Sequence, residues 1–124
     1  MNLLDQIISE MDFDFLSSGK HTMNVEGMRK CLGDNDTVFI DVRTGKEIGY
    51  VSFPFATHIP MNELPERISE VPRDKQVVLF CSSVFRAAVS YTYLRANGFE
   101  RVKGMAASME DMVQAFKPGP LGKM

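Results

Sequence analysis

The chain has 124 residues, a formal net charge of −2 and two cysteines. This length fits one domain that can build a hydrophobic core without disulfides. The near-neutral charge predicts no surface for nucleic acid, and no apolar run is long enough to span a membrane.

The N-terminal segment, residues 1–22, is predicted to be a helical arm ahead of the domain. Apolar residues recur in it at helical spacing: Leu3, Leu4, Ile7, Ile8 and Met11. It contains acidic residues and no basic start, so it does not resemble a signal peptide, and we expect a cytoplasmic protein with reduced thiols. The arm could pack on its own domain or on a second copy, so monomer and homodimer both stay open.

Residues 23–116 alternate between apolar strand patterns and helix patterns. We predict strands over 37–42, 56–59, 75–80 and 99–102, and helices from Asn24, from Asn62 through 64–68, over 86–97 with Gly98 as the stop, and over 108–116. This alternation predicts an α/β domain with a largely parallel sheet covered on both faces. Residues 117–124 are predicted to be a loose tail.

The most informative stretch is the 81–86 loop, which reads Cys81-Ser82-Ser83-Val84-Phe85-Arg86. It lies between a buried strand and a helix, where ligands bind in open α/β sheets. We expect the helix N-terminus and the Arg86 guanidinium to favour the Cys81 thiolate, which is the nucleophilic form. Ser82 and Ser83 add hydroxyl donors. A buried, inert cysteine is the alternative interpretation, and the coincidence of strand, loop, arginine and helix argues against it.

Other polar residues suggest structural roles. Cys31 lies on the apolar side of a predicted helix and is interpreted as a core residue. Asp41 and Arg43, at a strand end, are expected to form an ion pair or to hydrogen-bond to loops rather than act in catalysis. His21 is interpreted as a solvated loop residue, whereas His58 could line the edge of the pocket. Neither histidine has metal-ligand spacing with a cysteine.

An ordered series of motifs resembles the single-domain rhodanese-like sulfurtransferases. Phe39-Ile40-Asp41-Val42-Arg43 matches the family's first-strand motif, and Glu47 falls at its acidic position. Pro54, Ala56 and Ile59-Pro60 match parts of its Gly-His-Ile-Pro-Gly-Ala region, and Cys81, Ser83 and Arg86 match its active loop, Cys-Arg-Ser-Gly-x-Arg. Leu94 and Gly98-Phe99 match the residues that follow. The resemblance covers residues 23–116.

The resemblance implies a doubly wound domain around a five-stranded, mostly parallel sheet. It also implies that Cys81 accepts sulfane sulfur from thiosulfate, polysulfide or a persulfide. The sulfur is then passed to a thiol or cyanide acceptor, with a protein acceptor left open. By this carry-over the backbone of Ser82 to Arg86, which includes Val84 and Phe85, holds the outer sulfur, and Arg86 orients the loop or the donor. No metal or organic cofactor is implied.

The chain departs from the family pattern at several positions. Val51-Ser52 stands at the usual Gly-His, Ser82 at the usual arginine and Val84 at the usual glycine. A valine that needed a positive φ would be strained. Phe85 puts a large apolar group beside the pocket. An apolar mouth without the loop arginine favours polysulfide or a protein persulfide over thiosulfate.

Two alternative functions compete with sulfur transfer. Related phosphatases have one residue more between cysteine and arginine, and the four residues between Cys81 and Arg86 make a ring better suited to one sulfur atom than to phosphate. The other alternative is a rhodanese-fold binding or regulatory module with little turnover. Loop amides that converge on an accessible Cys81 sulfur would favour the enzyme, and a collapsed loop with a buried sulfur would favour the module.

Overall fold

A computed structural model describes residues 1–116. The strands within them are Thr22–Met23 (β1), Thr37–Asp41 (β2), Thr57–His58 (β3), Gln76–Phe80 (β4) and Val102–Met105 (β5). The helices are Leu3–Ser9 (α1), Phe13–Ser18 (α2), Val25–Lys30 (α3), Gly45–Ile48 (α4), Phe85–Ala96 (α5) and Met109–Ala115 (α6), with 3₁₀ turns at Met61–Glu63 and Ile68–Glu70. The predicted tail, 117–124, lies outside the described residues.

The five strands form one sheet in the order β1-β5-β4-β2-β3. All four strand pairs are parallel. β4 is the central strand, with β5 on one side and β2 on the other. The predicted α/β architecture with a five-stranded, mostly parallel sheet is therefore confirmed. The topological switch point lies between the carboxyl ends of β4 and β2, because β4 connects to β5 on one side and β2 connects to β3 on the other. Ligands bind at this point in this class of fold.

Alternate residues of the central strands enter two separate hydrophobic cores. Ile40 and Leu79 pack in one core with Leu94 of α5. Phe39, Val78 and Phe80 pack in the other with Met28 of α3 and Met112 of α6. Because successive side chains of a strand point to opposite faces, the sheet is covered on both sides. Both faces of β4 are thus buried. This burial fixes the point at which the chain leaves the sheet and enters the 81–86 loop.

The N-terminal arm lies against α5. Its first helix, α1, contacts α5, and Glu10 forms an ion pair with Arg95 at 2.8 Å. Asn2 caps α1 and Asp12 caps α2, each through a side-chain oxygen that accepts from a backbone N–H. The sequence pattern did not predict β1, whose two residues are too few to show a period.

Two predicted elements differ from the structure. The strand expected at 99–102 begins only at Val102, because the Phe99 N–H donates to the Leu94 carbonyl and completes the end of α5 beside Gly98, whose φ is 90°. The helix expected to begin at Asn62 is two 3₁₀ turns, and Asn62 lies inside the first turn rather than capping it. Because Pro65 has no N–H to donate to the Met61 carbonyl, the turn that begins at Met61 does not continue as an α-helix.

None of the helices in residues 1–116 combines the length and the apolar character that crossing a membrane requires.

Candidate active site

Cys81 follows directly after β4 and lies four residues before Phe85, the first residue of α5. The apolar run of β4 is buried on both faces, so the chain leaves the sheet at its centre. Val84 occupies the N-cap position of α5 and makes no side-chain cap hydrogen bond. The amides of the first turn of α5 therefore have no capping side chain, which leaves them suited to an anionic ligand.

The Cys81 thiol is directed into the protein. The residue is 1% exposed, and its Sγ donates a hydrogen bond to the Ser83 carbonyl, 2.7 Å away. Cys81 packs in the same core as Ala87 and Tyr91 of α5. In this conformation a carbonyl oxygen, rather than an amide, faces the sulfur. An incoming donor can reach Cys81 only if the loop moves.

Val84 and Phe85 form an apolar mouth above the loop. They are 56% and 69% exposed. Val84 has φ −102° and ψ −14°, and no residue other than glycine has a positive φ in the described chain. The strain that a positive φ would impose on Val84 is therefore absent. The loop takes a shape that valine tolerates, different from one that needs glycine at this position.

Arg86 is held by an acidic residue from the other side of the site. Its Nη1 and Nη2 donate to Glu47 Oε1 and Oε2 at 2.6 and 2.8 Å, and Nη2 also donates to Ser82 Oγ at 2.9 Å. The Arg86 hydrogen bond is the main reason that the pKa of Glu47 falls from 4.5 to about 2, and Glu47 in turn raises the pKa of Arg86. Arg86 therefore orients the loop through Ser82, and its charge is largely matched by Glu47.

Glu47 is the residue to which the sequence assigned no role. It belongs to α4, where its carboxylate also accepts from the Thr44 N–H and so closes a capping box. The signal for Glu47 in the sequence was that it falls at the acidic position of the rhodanese-like family pattern. Its pairing with a residue 39 positions later could not be read from spacing.

Asp41 and Arg43 form the ion pair expected at the end of β2. Arg43 Nη2 donates to Asp41 Oδ2 at 2.7 Å, and both side chains are almost fully buried. Arg43 Nη2 also donates to the Val51 carbonyl, and His58 Nε2 lies 2.6 Å from the Arg43 carbonyl. The pair thus connects β2, β3 and the segment after α4. No hydrogen bond joins it to the 81–86 loop among the described contacts.

The side chains present do not form a metal site in the described part of the chain. Residues 1–116 contain no group of three or more His, Cys, Asp and Glu side chains placed to hold a metal ion. What the site does hold is a cysteine at the switch point, an oriented arginine and a helix start.

Comparison with known proteins gives one family. The model of the rhodanese-like domain matches residues 24–115. A sulfurtransferase of Allochromatium vinosum is 37% identical over 78 residues, which are 62% of this chain and 73% of that protein. The match includes most of both chains, so the relationship extends beyond a single motif.

Solved structures of other proteins share the fold of this chain. A rhodanese-related protein from Thermoplasma volcanium superposes with a TM-score of 0.69 at 20% identity, covering 79% of this chain and 95% of that one. A NAD-dependent persulfide reductase from A. fulgidus is 31% identical with a TM-score of 0.60, covering 77% of this chain but only 16% of the larger protein.

Proposed function

This chain belongs to the rhodanese-like domain family, and we propose that it is a sulfurtransferase that carries sulfane sulfur as a persulfide on Cys81. The observation that carries the proposal is the place of Cys81, at the carboxyl end of the central strand and ahead of an uncapped helix start. The sulfurtransferase from Allochromatium vinosum supports the class of reaction. Ser82, Ser83, Val84 and Phe85 would surround the sulfur, and Arg86 would orient the loop.

The proposed reaction consists of two sulfur transfers, one onto Cys81 and one from Cys81 to the acceptor. The Cys81 thiolate attacks the outer sulfur of the donor, a new S–S bond forms, and the donor's own S–S bond breaks. The leaving group departs with the electron pair as sulfite from thiosulfate, as a polysulfide shorter by one sulfur, or as the thiolate of a persulfide donor. A thiolate or cyanide then attacks the outer sulfur of the persulfide and restores the Cys81 thiolate. No external oxidant or reductant is consumed, and neither step calls for a metal or an organic cofactor.

The loop must rearrange before the first transfer. In the observed conformation the Cys81 thiol donates to the Ser83 carbonyl. Once the proton leaves, a negative sulfur would face a carbonyl oxygen, which is repulsive. Rotation of the Ser83–Val84 peptide would replace that oxygen with an N–H group. Such a change would turn the loop from a closed form into one able to stabilise the thiolate and the persulfide.

The residues at the mouth of the loop influence which sulfur donor can bind. Val84 and Phe85 there are exposed and apolar beside the exposed Ser83, and the cation of Arg86 is paired with Glu47. We therefore propose a polysulfide or a protein persulfide as the donor rather than thiosulfate. Parallel assays with thiosulfate and cyanide, and with polysulfide and a thiol, test this choice. Faster turnover with thiosulfate would contradict it.

The persulfide itself is tested by intact mass. Incubation with polysulfide is expected to add the mass of one sulfur atom to the wild-type chain. Cys81→Ser should abolish the addition, whereas Cys31→Ser should keep it, because Cys31 lies away from the loop beside Gln76. Sulfur addition that persists in Cys81→Ser and disappears in Cys31→Ser would refute the role of Cys81.

A second candidate function is a rhodanese-fold binding module with little turnover. The observation that favours it is the closed loop with a buried thiol, 1% exposed and bonded to Ser83, which is the geometry expected of the module rather than of the enzyme. A module of this kind would keep the loop closed in solution. Failure of the wild-type chain to acquire sulfur from polysulfide, thiosulfate and a small persulfide alike would support this function over the enzyme.

A further inference from the structure

The side of α5 that points away from the sheet carries no charge. The only charged residues of this helix, Arg86 and Arg95, each pair with a carboxylate of the same chain. The side that faces the sheet is apolar too, since Ala87 and Leu94 pack in the core. A helix that is apolar on all sides is normally buried on all sides. The outward side of α5 therefore needs a cover, which the described part of a single chain supplies only in part, through α1.

This outward side forms an open groove, and Leu4 of α1 is among the residues that line it. Residues four apart on a helix lie in one row along its surface. Two such rows of α5 line the groove, one of large side chains and one of small side chains. The large row is Phe85, Val89 and Tyr93, and the small row is Ala88, Thr92 and Ala96.

The exposed area at this face is large enough for an interface. Leu4 and Ile8, one turn apart on α1, and Phe85 and Val89 on α5 are between 43% and 69% exposed. With about 200 Å² for a fully exposed large residue, these four and their partly exposed neighbours offer roughly 600 Å². Two such faces would bury roughly 1,200 Å² together, which reaches the lower end of the range for specific interfaces.

The two rows fit a second copy of the same chain. If two α5 helices lie antiparallel about a twofold axis level with the middle of the helix, the large row of each copy lies against the small row of the other. The same contacts then occur twice, as a twofold interface requires. No like charges meet, and interfaces between identical subunits are more apolar than those with transient partners. The contacts in this register are Phe85 with Ala96, Val89 with Thr92, and Tyr93 with Ala88 of the second copy.

We propose that the chain forms a twofold homodimer through this face, with the two α5 helices antiparallel. Of the monomer and the homodimer that the sequence leaves open, this choice commits to the homodimer. Phe85 adjoins the 81–86 loop of its own copy and meets the far end of α5 in the other. The two loops therefore lie about 16 Å apart along the helix axis, and each thiol keeps its own loop. The dimer goes beyond the proposed sulfur transfer and does not depend on it.

The first experiment measures the mass of the full chain in solution. Sedimentation velocity is recorded from about 1 μM to about 1 mM with a reductant present, so that no intermolecular disulfide contributes. We expect the mass to rise from 14.0 kDa toward twice that value, with a Kd of micromolar order for an interface of this size. A mass of 14.0 kDa over the whole series would overturn the proposal and leave this face to a different partner.

The second experiment places a charge in the middle of the interface. Val89 is exposed in the single chain, so Val89→Glu should fold normally and raise the Kd of the dimer at least about 10-fold. Val113→Glu makes the same change at an exposed valine of α6 outside the groove, and it should dimerise like the wild type. Melting curves show whether both variants are folded. A folded Val89→Glu chain that associates like the wild type would refute this face as the interface.

The third experiment tests the antiparallel register. Thr92→Lys alone should also weaken the dimer. An equal mixture of Val89→Glu and Thr92→Lys chains should associate more tightly than either variant alone, because the new carboxylate of one copy faces the new ammonium group of the other. No gain on mixing would refute the pairing of Val89 with Thr92 and with it the antiparallel arrangement.

Discussion

Glu47 holds both terminal nitrogens of Arg86, at 2.6 and 2.8 Å, and so joins α4 to the start of α5 across the mouth of the site. A bidentate carboxylate–guanidinium pair fixes direction as well as distance. Since Arg86 also donates to Ser82, this one pair sets the position of the 81–86 loop relative to the rest of the sheet edge.

Glu47→Gln should destabilise the chain in a pH-dependent way. The pKa of Glu47 is about 2 in the folded protein against an ordinary value of 4.5, so the stabilisation is complete above pH 4.5 and is lost as the pH falls toward 2. For a partly exposed pair we expect a loss of about 1 kcal/mol in the free energy of unfolding at neutral pH. Urea unfolding across this pH range measures it. An equal loss at both ends of the range would contradict the role of this carboxylate.

A matched control separates stability from loop position. Glu70 pairs with Arg67, which lowers its pKa, and the pair lies away from the 81–86 loop. Glu70→Gln should therefore change stability modestly, like Glu47→Gln, but leave the rate of sulfur loading at Cys81 unchanged. If Glu47→Gln also loads sulfur at the wild-type rate, the pair does not position the loop.

The two cysteines should differ in reactivity. Cys81 is buried and bonded to Ser83, whereas Cys31 is partly exposed. Alkylation of the folded chain with iodoacetamide should therefore label Cys31 several-fold faster, because Cys81 reacts only through loop opening. Peptide mapping over time gives both rates, and labelling in denaturant provides the reference. Faster labelling of Cys81 in the folded chain would show that the closed loop is a minor state.

Val84→Gly should open the loop more often. Val84 is 56% exposed, so few contacts are lost, while glycine makes positive φ values accessible to the Ser83–Val84 segment. We expect several-fold faster alkylation and faster sulfur loading of Cys81. Val89→Ala, at an exposed position further along α5, is the control and should change neither rate. A Val84→Gly chain with wild-type rates would mean that another residue limits opening.

Removal of the buried arginine should be far more harmful than removal of an exposed one. Arg43→Met leaves the buried Asp41 carboxylate without its partner, which costs about 3–5 kcal/mol. Arg101→Met breaks the exposed pair with Asp36 and should cost far less stability, because water screens that pair. Chemical denaturation of the two variants measures the contrast. Comparable losses would show that Asp41 and Arg43 are better solvated than their burial implies.

The sequence pattern located the central elements well. The apolar runs of β2 and β4 are long and contain β-branched residues, and Gly98 marks the end of α5. These signals are local, because they depend on burial of neighbouring residues and on the backbone freedom of one glycine. Elements without such signals were missed or displaced. Thr22–Met23 is too short to show a period, and the Phe99 N–H belongs to the helix end instead of the sheet.

The sequence by itself determined that a cysteine would stand after a buried strand and before a helix, and that an arginine would follow at a set distance. Only the tertiary structure decided which groups face them. Glu47 reaches Arg86 because α4 folds back over the site, 39 residues away along the chain. Whether Cys81 meets an amide or the Ser83 carbonyl depends on the orientation of one peptide plane, which the sequence pattern of strand, loop and helix does not specify and the folded loop does.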